Sequence, residues 1–185
     1  MKRILMGLVA AVVLTAGANS QAGVADKLLL YFPNRIMDLL DIASLTPSFG
    51  PQAHLEVWAT RAFSFGAGIG ASSKLVKAYN RQYGVGMENG WSMSFTCISA
   101  ENTQVVHTSR DVKEYSYHAV GIPDPFDQVY DFQKGARDYW AIGVRGGGIV
   151  ELEGELHPID IADFVLGWFF IDIKGDDFTI DDITY

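Results

Sequence analysis

The stretch Tyr139–His157 reads YWAIGVRGGGIVELEGELH and carries the plainest pattern in the chain. Trp140, Ile142, Val144, Val150, Leu152 and Leu156 share one parity; Arg145, Glu151, Glu153, Glu155 and His157 share the other. Successive side chains of a strand point to opposite faces, so this spacing predicts two strands with one apolar and one charged face. Gly146-Gly147-Gly148 interrupts it. A two-residue turn there would set Ile142 opposite Glu151 and mix core with charge. A three-residue glycine loop pairs Val144 with Val150 and Ile142 with Leu152 and keeps both faces pure. One continuous, sharply bent strand would also keep them pure, but the hairpin is preferred. The even-numbered set is expected to fill a core, with the row Glu151, Glu153, Glu155 facing water. An exposed apolar belt in its place would put the sheet against a membrane.

The same alternation runs upstream. Leu55, Val57 and Ala59 alternate with His54, Glu56, Trp58 and Thr60, and Phe63, Phe65, Ala67 and Ile69 alternate with Ser64, Gly66, Gly68 and Gly70. Glycine weakens a strand, so three on one face need a reason. Either a backbone, helix or large ring lies on that face, or the strand bends there. Gly66, Gly68 and Gly70 are therefore a candidate ligand-lined face. Glu88-Asn89-Gly90 reads as a turn, leading into Trp91, Met93, Phe95 and Cys97 as a second hairpin arm. Residues 102–110 carry no clear pattern, and Tyr115, Tyr117 and Ala119 suggest another strand. Residues 121–135, with Pro123, Pro125 and three aromatics, read as a long loop.

Two segments carry helical spacing instead. Ile36, Leu39, Leu40 and Ala43 predict a helix over about 33–45, and Pro158 opens a second over about 158–169, with Ala162, Val165, Leu166 and Phe169 as its apolar stripe. Trp168, Phe169 and Phe170 are expected to be buried within the domain. The fold class that follows is mainly β: one antiparallel β-sandwich or small β-barrel with these two short helices.

Residues 1–22 have the layout of a secretory signal peptide: Lys2 and Arg3, an uncharged run from Ile4 to Ala16, and small residues before a cut after Ala22. A single β-rich domain over 23–185 would remain. Removing Lys2 and Arg3 from 14 basic residues leaves 12 against 22 acidic ones, a net charge of −10. Such a chain is repelled by nucleic acid. The single cysteine, Cys97, is expected to be a buried core thiol without a disulfide partner.

The chain contains no GxSxG elbow, HExxH, phosphate loop or cysteine pair, so no catalytic residue and no cofactor is assigned. His54 alternates with Glu56, and Glu155 with His157. Two such imidazole–carboxylate pairs meeting in space would make a weak four-ligand metal site. The aspartates Asp172, Asp176, Asp177, Asp181 and Asp182 lack the spacing of a calcium loop. The functional expectation is a non-enzymatic protein of the periplasm or outer membrane of a Gram-negative bacterium, with membrane lipid or another envelope protein as partner. A periplasmic module binding an apolar or lipid-like ligand is the alternative.

Overall fold

Alternation from Ala43 onward does build sheet. The computed structural model describes residues 30–109 and 111–178. The signal-peptide segment 1–22 and the final aspartates Asp181 and Asp182 lie outside the described residues. Eight strands follow one another: β1 (Ala43–Phe49), β2 (Gln52–Thr60), β3 (Phe63–Ala78), β4 (Gln82–Thr96), β5 (Ile98–His107), β6 (Tyr115–Gly121), β7 (Ile142–Gly147) and β8 (Val150–Leu156). Helices α1 (Tyr31–Asp41) and α2 (Pro158–Gly167) flank them, and one 3-10 turn, Gln128–Tyr130, lies in the long loop before β7. The chain is mainly β, as its periodicity requires.

Every strand pairing is antiparallel, in the order β1-β8-β7-β2-β3-β4-β5-β6, and β1 also pairs with β3. That extra contact closes β1, β8, β7, β2 and β3 into a five-stranded barrel, with β4, β5 and β6 extending the sheet from β3. The closing seam has two rungs, Ser48 opposite Lys74 and Phe49 opposite Ser73. Lys77 Nζ donates to the Ala43 carbonyl near it, and Arg81 Nε binds Asp41 at 3.0 Å. The long strand β3 serves two neighbours in succession, β2 along residues 63–70 and β1 at Ser73 and Lys74. Gly66 and Gly70 sit at φ +135° and +151°, and a β-carbon at either would strike the backbone of β2.

Several boundaries differ from expectation. The first helix ends at Asp41, and Pro47 lies inside β1. Glu88-Asn89-Gly90 is not a turn: β4 runs through it, and the chain reverses instead around residues 79–81 and at Thr96-Cys97. Residues 102–107, part of the stretch without clear pattern, belong to β5. The β7–β8 hairpin keeps its faces pure with a different register, Val144 opposite Gly154 and Gly147 opposite Glu151, so it closes over residues 148–150.

The largest correction concerns which face is inside. Leu55, Val57, Phe65, Ile69, Val144 and Leu152 are exposed, Leu55 at 73 %. Their polar alternates His54, Arg145 and Glu151 are buried, Glu151 at 2 %. The row Glu151, Glu153, Glu155 therefore faces the interior rather than water. Cys97 is exposed in the β4–β5 turn rather than buried. Alternation identifies the two faces of a strand but not which one is covered, and here the polar face is covered because its charges pair with one another.

Contacts divide the described chain into two compact units, residues 41–158 and residues 30–40 with 159–178. The second unit shows the same inversion. Asn34, Arg35, Asp38, Asp160 and Asp163 are buried, while Trp168, Phe169 and Phe170 are exposed, contrary to expectation. Arg35 is central to it: its guanidinium lies where a β-carbon of Gly167 would be, and it bonds Asp38 at 2.6 Å and Asp177 at 2.9 Å.

Candidate functional site

Most inward positions of the barrel strands are polar or charged, with Trp58 and Val76 among them, and the interior holds a cavity of about 120 Å³. Its walls include Ser44, Trp58, Arg61, Lys74, Arg145 and Glu155. An unpaired buried ion costs several kcal/mol, so such an interior must balance its charges locally.

It does so along one chain of contacts. Lys74 Nζ lies 2.6 Å from Glu88 and 2.9 Å from Glu153. Arg145 reaches Glu88 through Nη2 at 2.6 Å and Glu151 through Nε at 2.5 Å. The other oxygen of Glu151 meets His54 Nδ1 at 2.6 Å, and Ser48 Oγ donates to Glu151 at 3.3 Å. Burial alone would push the Glu88 carboxyl up, but Lys74 and Arg145 outweigh it and hold Glu88 down at about 2. Burial likewise disfavours the Lys74 ammonium, and Glu153 and Glu88 outweigh that, so its pKa is raised.

A second group lies where β1 begins and β8 ends. His157, wholly buried, directs Nε2 to Ser44 Oγ at 2.7 Å and Nδ1 to Asp138 Oδ2 at 2.9 Å. Three elements deliver these residues: the first turn of β1, the loop before β7 and the residue after β8. The His157 amide donates to the Ile42 carbonyl at 2.8 Å, and the Tyr79 ring packs 5.3 Å from the imidazole. Asp138 Oδ1 accepts the Trp140 amide at 2.8 Å, which turns Oδ2 toward the histidine. A neutral imidazole that donates from Nδ1 to Asp138 offers Nε2 as acceptor to the Ser44 hydroxyl. Ser44 lines the cavity, and so does Trp58, whose Nε1 is buried without a hydrogen-bond partner.

Comparison with family models, with curated proteins and with solved structures gives no match. The chemistry of the site therefore rests on its own geometry.

The residues singled out from sequence fall as follows. His54 pairs with Glu151; Glu56 accepts from Ser92 Oγ at 2.5 Å; Glu155 binds Arg61 at 2.5 Å; His157 binds Ser44 and Asp138. Each of the four thus has a different partner. Among the described residues, the acidic group with ligand atoms within 4.8 Å of one another is Asp38, Asp163 and Asp176. Burial, with Asp163, Asp177 and Asp176 nearby, raises Asp38 to about 7 against the lowering effect of Arg35. Of the glycine face, Gly68 gives its space to the His54 ring, and Gly66 and Gly70 lie against β2. Sequence reasoning missed Ser44, which fell inside a predicted helix, and Asp138, which fell between the predicted loop 121–135 and the alternating stretch that starts at Tyr139. Ser44 and His157 are 113 positions apart, so no local spacing could have joined them.

Proposed function

We propose that this chain is an exported cell-envelope protein that seats its apolar sheet face in the outer membrane of a Gram-negative bacterium. A single observation carries the reading: the barrel is inside out relative to a water-soluble protein. Each apolar Å² left in water forgoes about 25 cal/mol, and monomeric soluble proteins rarely show a contiguous apolar patch beyond a few hundred Å². Here the outward Leu55, Ile69, Met93, Val144 and Leu152 of the neighbouring strands β2, β3, β4, β7 and β8 are all exposed. Hydrocarbon removes that cost, and a closed ring of strands answers its own backbone groups, as a membrane demands. Phe63, Phe65, Phe95 and Trp140 are all exposed near the turns at residues 61–62 and 96–97, which resembles the aromatic girdle of membrane strands.

Lipid is the partner in this reading. The outer edge of β6 has no strand partner among the described residues. Unpaired backbone is not tolerated in hydrocarbon, so that edge lies in water or headgroups or against another envelope protein. A module carrying an apolar ligand would need an apolar lining throughout, and in this cavity the charged Arg61, Lys74, Arg145 and Glu155 stand among the apolar Val76, Val105 and Tyr130.

Fractionation of cells making the full chain tests the proposal. The protein should stay with outer membranes after washes with alkaline carbonate and urea. Release into the wash as a soluble species, with or without co-purified lipid, would contradict it.

A further inference from the structure

The geometry points to ester hydrolysis at Ser44, with His157 as base and Asp138 as the group that orients it. This goes beyond the membrane reading and does not depend on it, because all three residues lie within residues 41–158. A serine acts as a nucleophile when a base takes its proton and a third group fixes the base; such triads are recognised by geometry and roles, not by sequence position. Ser44, His157 and Asp138 meet that description, with contacts of 2.7 and 2.9 Å. The second buried histidine, His54, has the carboxylate partner Glu151 on Nδ1.

The site also holds what a purely structural network would not leave. Trp58 is 5 % exposed, its indole N–H has no partner, and it walls the same cavity as Ser44. An unsatisfied buried donor costs about 1–3 kcal/mol. A substrate carbonyl oxygen entering that cavity is the kind of group it would serve. The Arg61 guanidinium over the Trp58 ring, at 4.5 Å, and the ring's seat on Gly143 hold that indole in place.

The step balances with water as the only co-reactant. His157 Nε2 takes the Ser44 proton, and Oγ bonds to the ester carbonyl carbon. The carbon–oxygen bond to the alcohol breaks, and His157 returns the proton to the departing alkoxide. Water, giving its proton to His157, then attacks the acyl carbon; the bond to Oγ breaks, His157 passes that proton to Oγ, and the acyl group leaves as a carboxylic acid. The substrate class is a carboxylic ester, either a small soluble one or the acyl ester of a lipid.

The experiment uses the full chain, purified in detergent, with diisopropyl fluorophosphate as the covalent probe and mass spectrometry to locate it. Wild type should carry the adduct on Ser44, and Ser116→Ala, on the exposed face of β6, should label equally. Ser44→Ala and His157→Ala should not label. Asp138→Asn should label at least 100-fold more slowly, and Trp58→Phe should hydrolyse esters at least 10-fold more slowly with an unchanged circular dichroism spectrum. Hydrolysis of p-nitrophenyl butyrate assigns a soluble ester, and hydrolysis of phosphatidylethanolamine vesicles a lipid. Should the variants fail to fold, the site of the wild-type adduct decides alone. Folded wild type without an adduct on Ser44, or Ser44→Ala hydrolysing esters at the wild-type rate, would overturn the assignment.

Discussion

The imidazole of His54 occupies the place that a β-carbon at Gly68 would take, so two adjacent strands meet through a ring on one side and a bare backbone on the other. Gly68→Ala must push that ring away from Glu151. Overpacking of this kind costs about 1–3 kcal/mol, read as a lowered urea midpoint in detergent. His54→Ala leaves room for the added methyl. Gly68→Ala should therefore cost much less in that background, a coupling that a double-mutant cycle measures. Equal costs in both backgrounds would remove His54 from the Gly68 face.

Arg145 holds two carboxylates at once, those of Glu88 and Glu151. Arg145→Met leaves buried negative charge short of a partner, a change worth about 3–5 kcal/mol. The same network sets an acid limit. The Glu88 carboxyl is near 2 when folded, below its ordinary 4.5. Between those values the unfolded chain binds more protons, so this stabilisation is complete above about pH 4.5 and is lost as pH falls toward 2. Glu88→Gln should flatten that part of the stability–pH curve, measured by urea unfolding at each pH.

The helical unit should respond in the opposite sense. Asp38 is raised to about 7, and burial together with neighbouring Asp172 raises Asp177 to about 6, both from 3.8. Here the folded form binds more protons than the unfolded form, so stability falls as pH rises from about 4 to 7. Hydrogen exchange in α1 and α2, corrected for intrinsic rate, should show more protection at pH 5 than at pH 8. Asp38→Asn should remove much of the difference.

Cys97 is a lone exposed thiol at the β4–β5 turn. It should react with a maleimide in the folded protein about as fast as a free thiol, and much faster than a core cysteine would. Slow labelling that accelerates only in urea would return Cys97 to the interior.

Strand content was readable because alternation is local. Leu55 and Glu56, or Leu152 and Glu153, announce two faces without reference to the rest of the chain. The inversion was not readable that way. Whether Leu152 or Glu151 is covered depends on Arg145 and His54 arriving from other strands to answer Glu151. The same holds for the helices, where Arg35 finds Asp177 142 positions away. The turn at 88–90 failed because Asn89 and Gly90 pair with Gln104 and Thr103 of β5, whose own sequence carries little pattern. Ser44, His157 and Asp138 converge only once β1 lies beside β8, so neither their identity nor their spacing marked them.

The inverted barrel is tested most directly by spin labels placed singly on a Cys97→Ser background at outward Leu55, Ile69, Val144 and Leu152 and at inward Glu56, Ser72, Arg145 and Glu153, in protein reconstituted into bilayers. The outward labels should collide readily with oxygen, which concentrates in lipid, and poorly with a water-soluble nickel chelate; the inward labels should be shielded from oxygen by comparison. Outward labels that meet the nickel chelate as freely as exposed sites in water, with no alternation along the strands, would contradict a lipid-facing sheet.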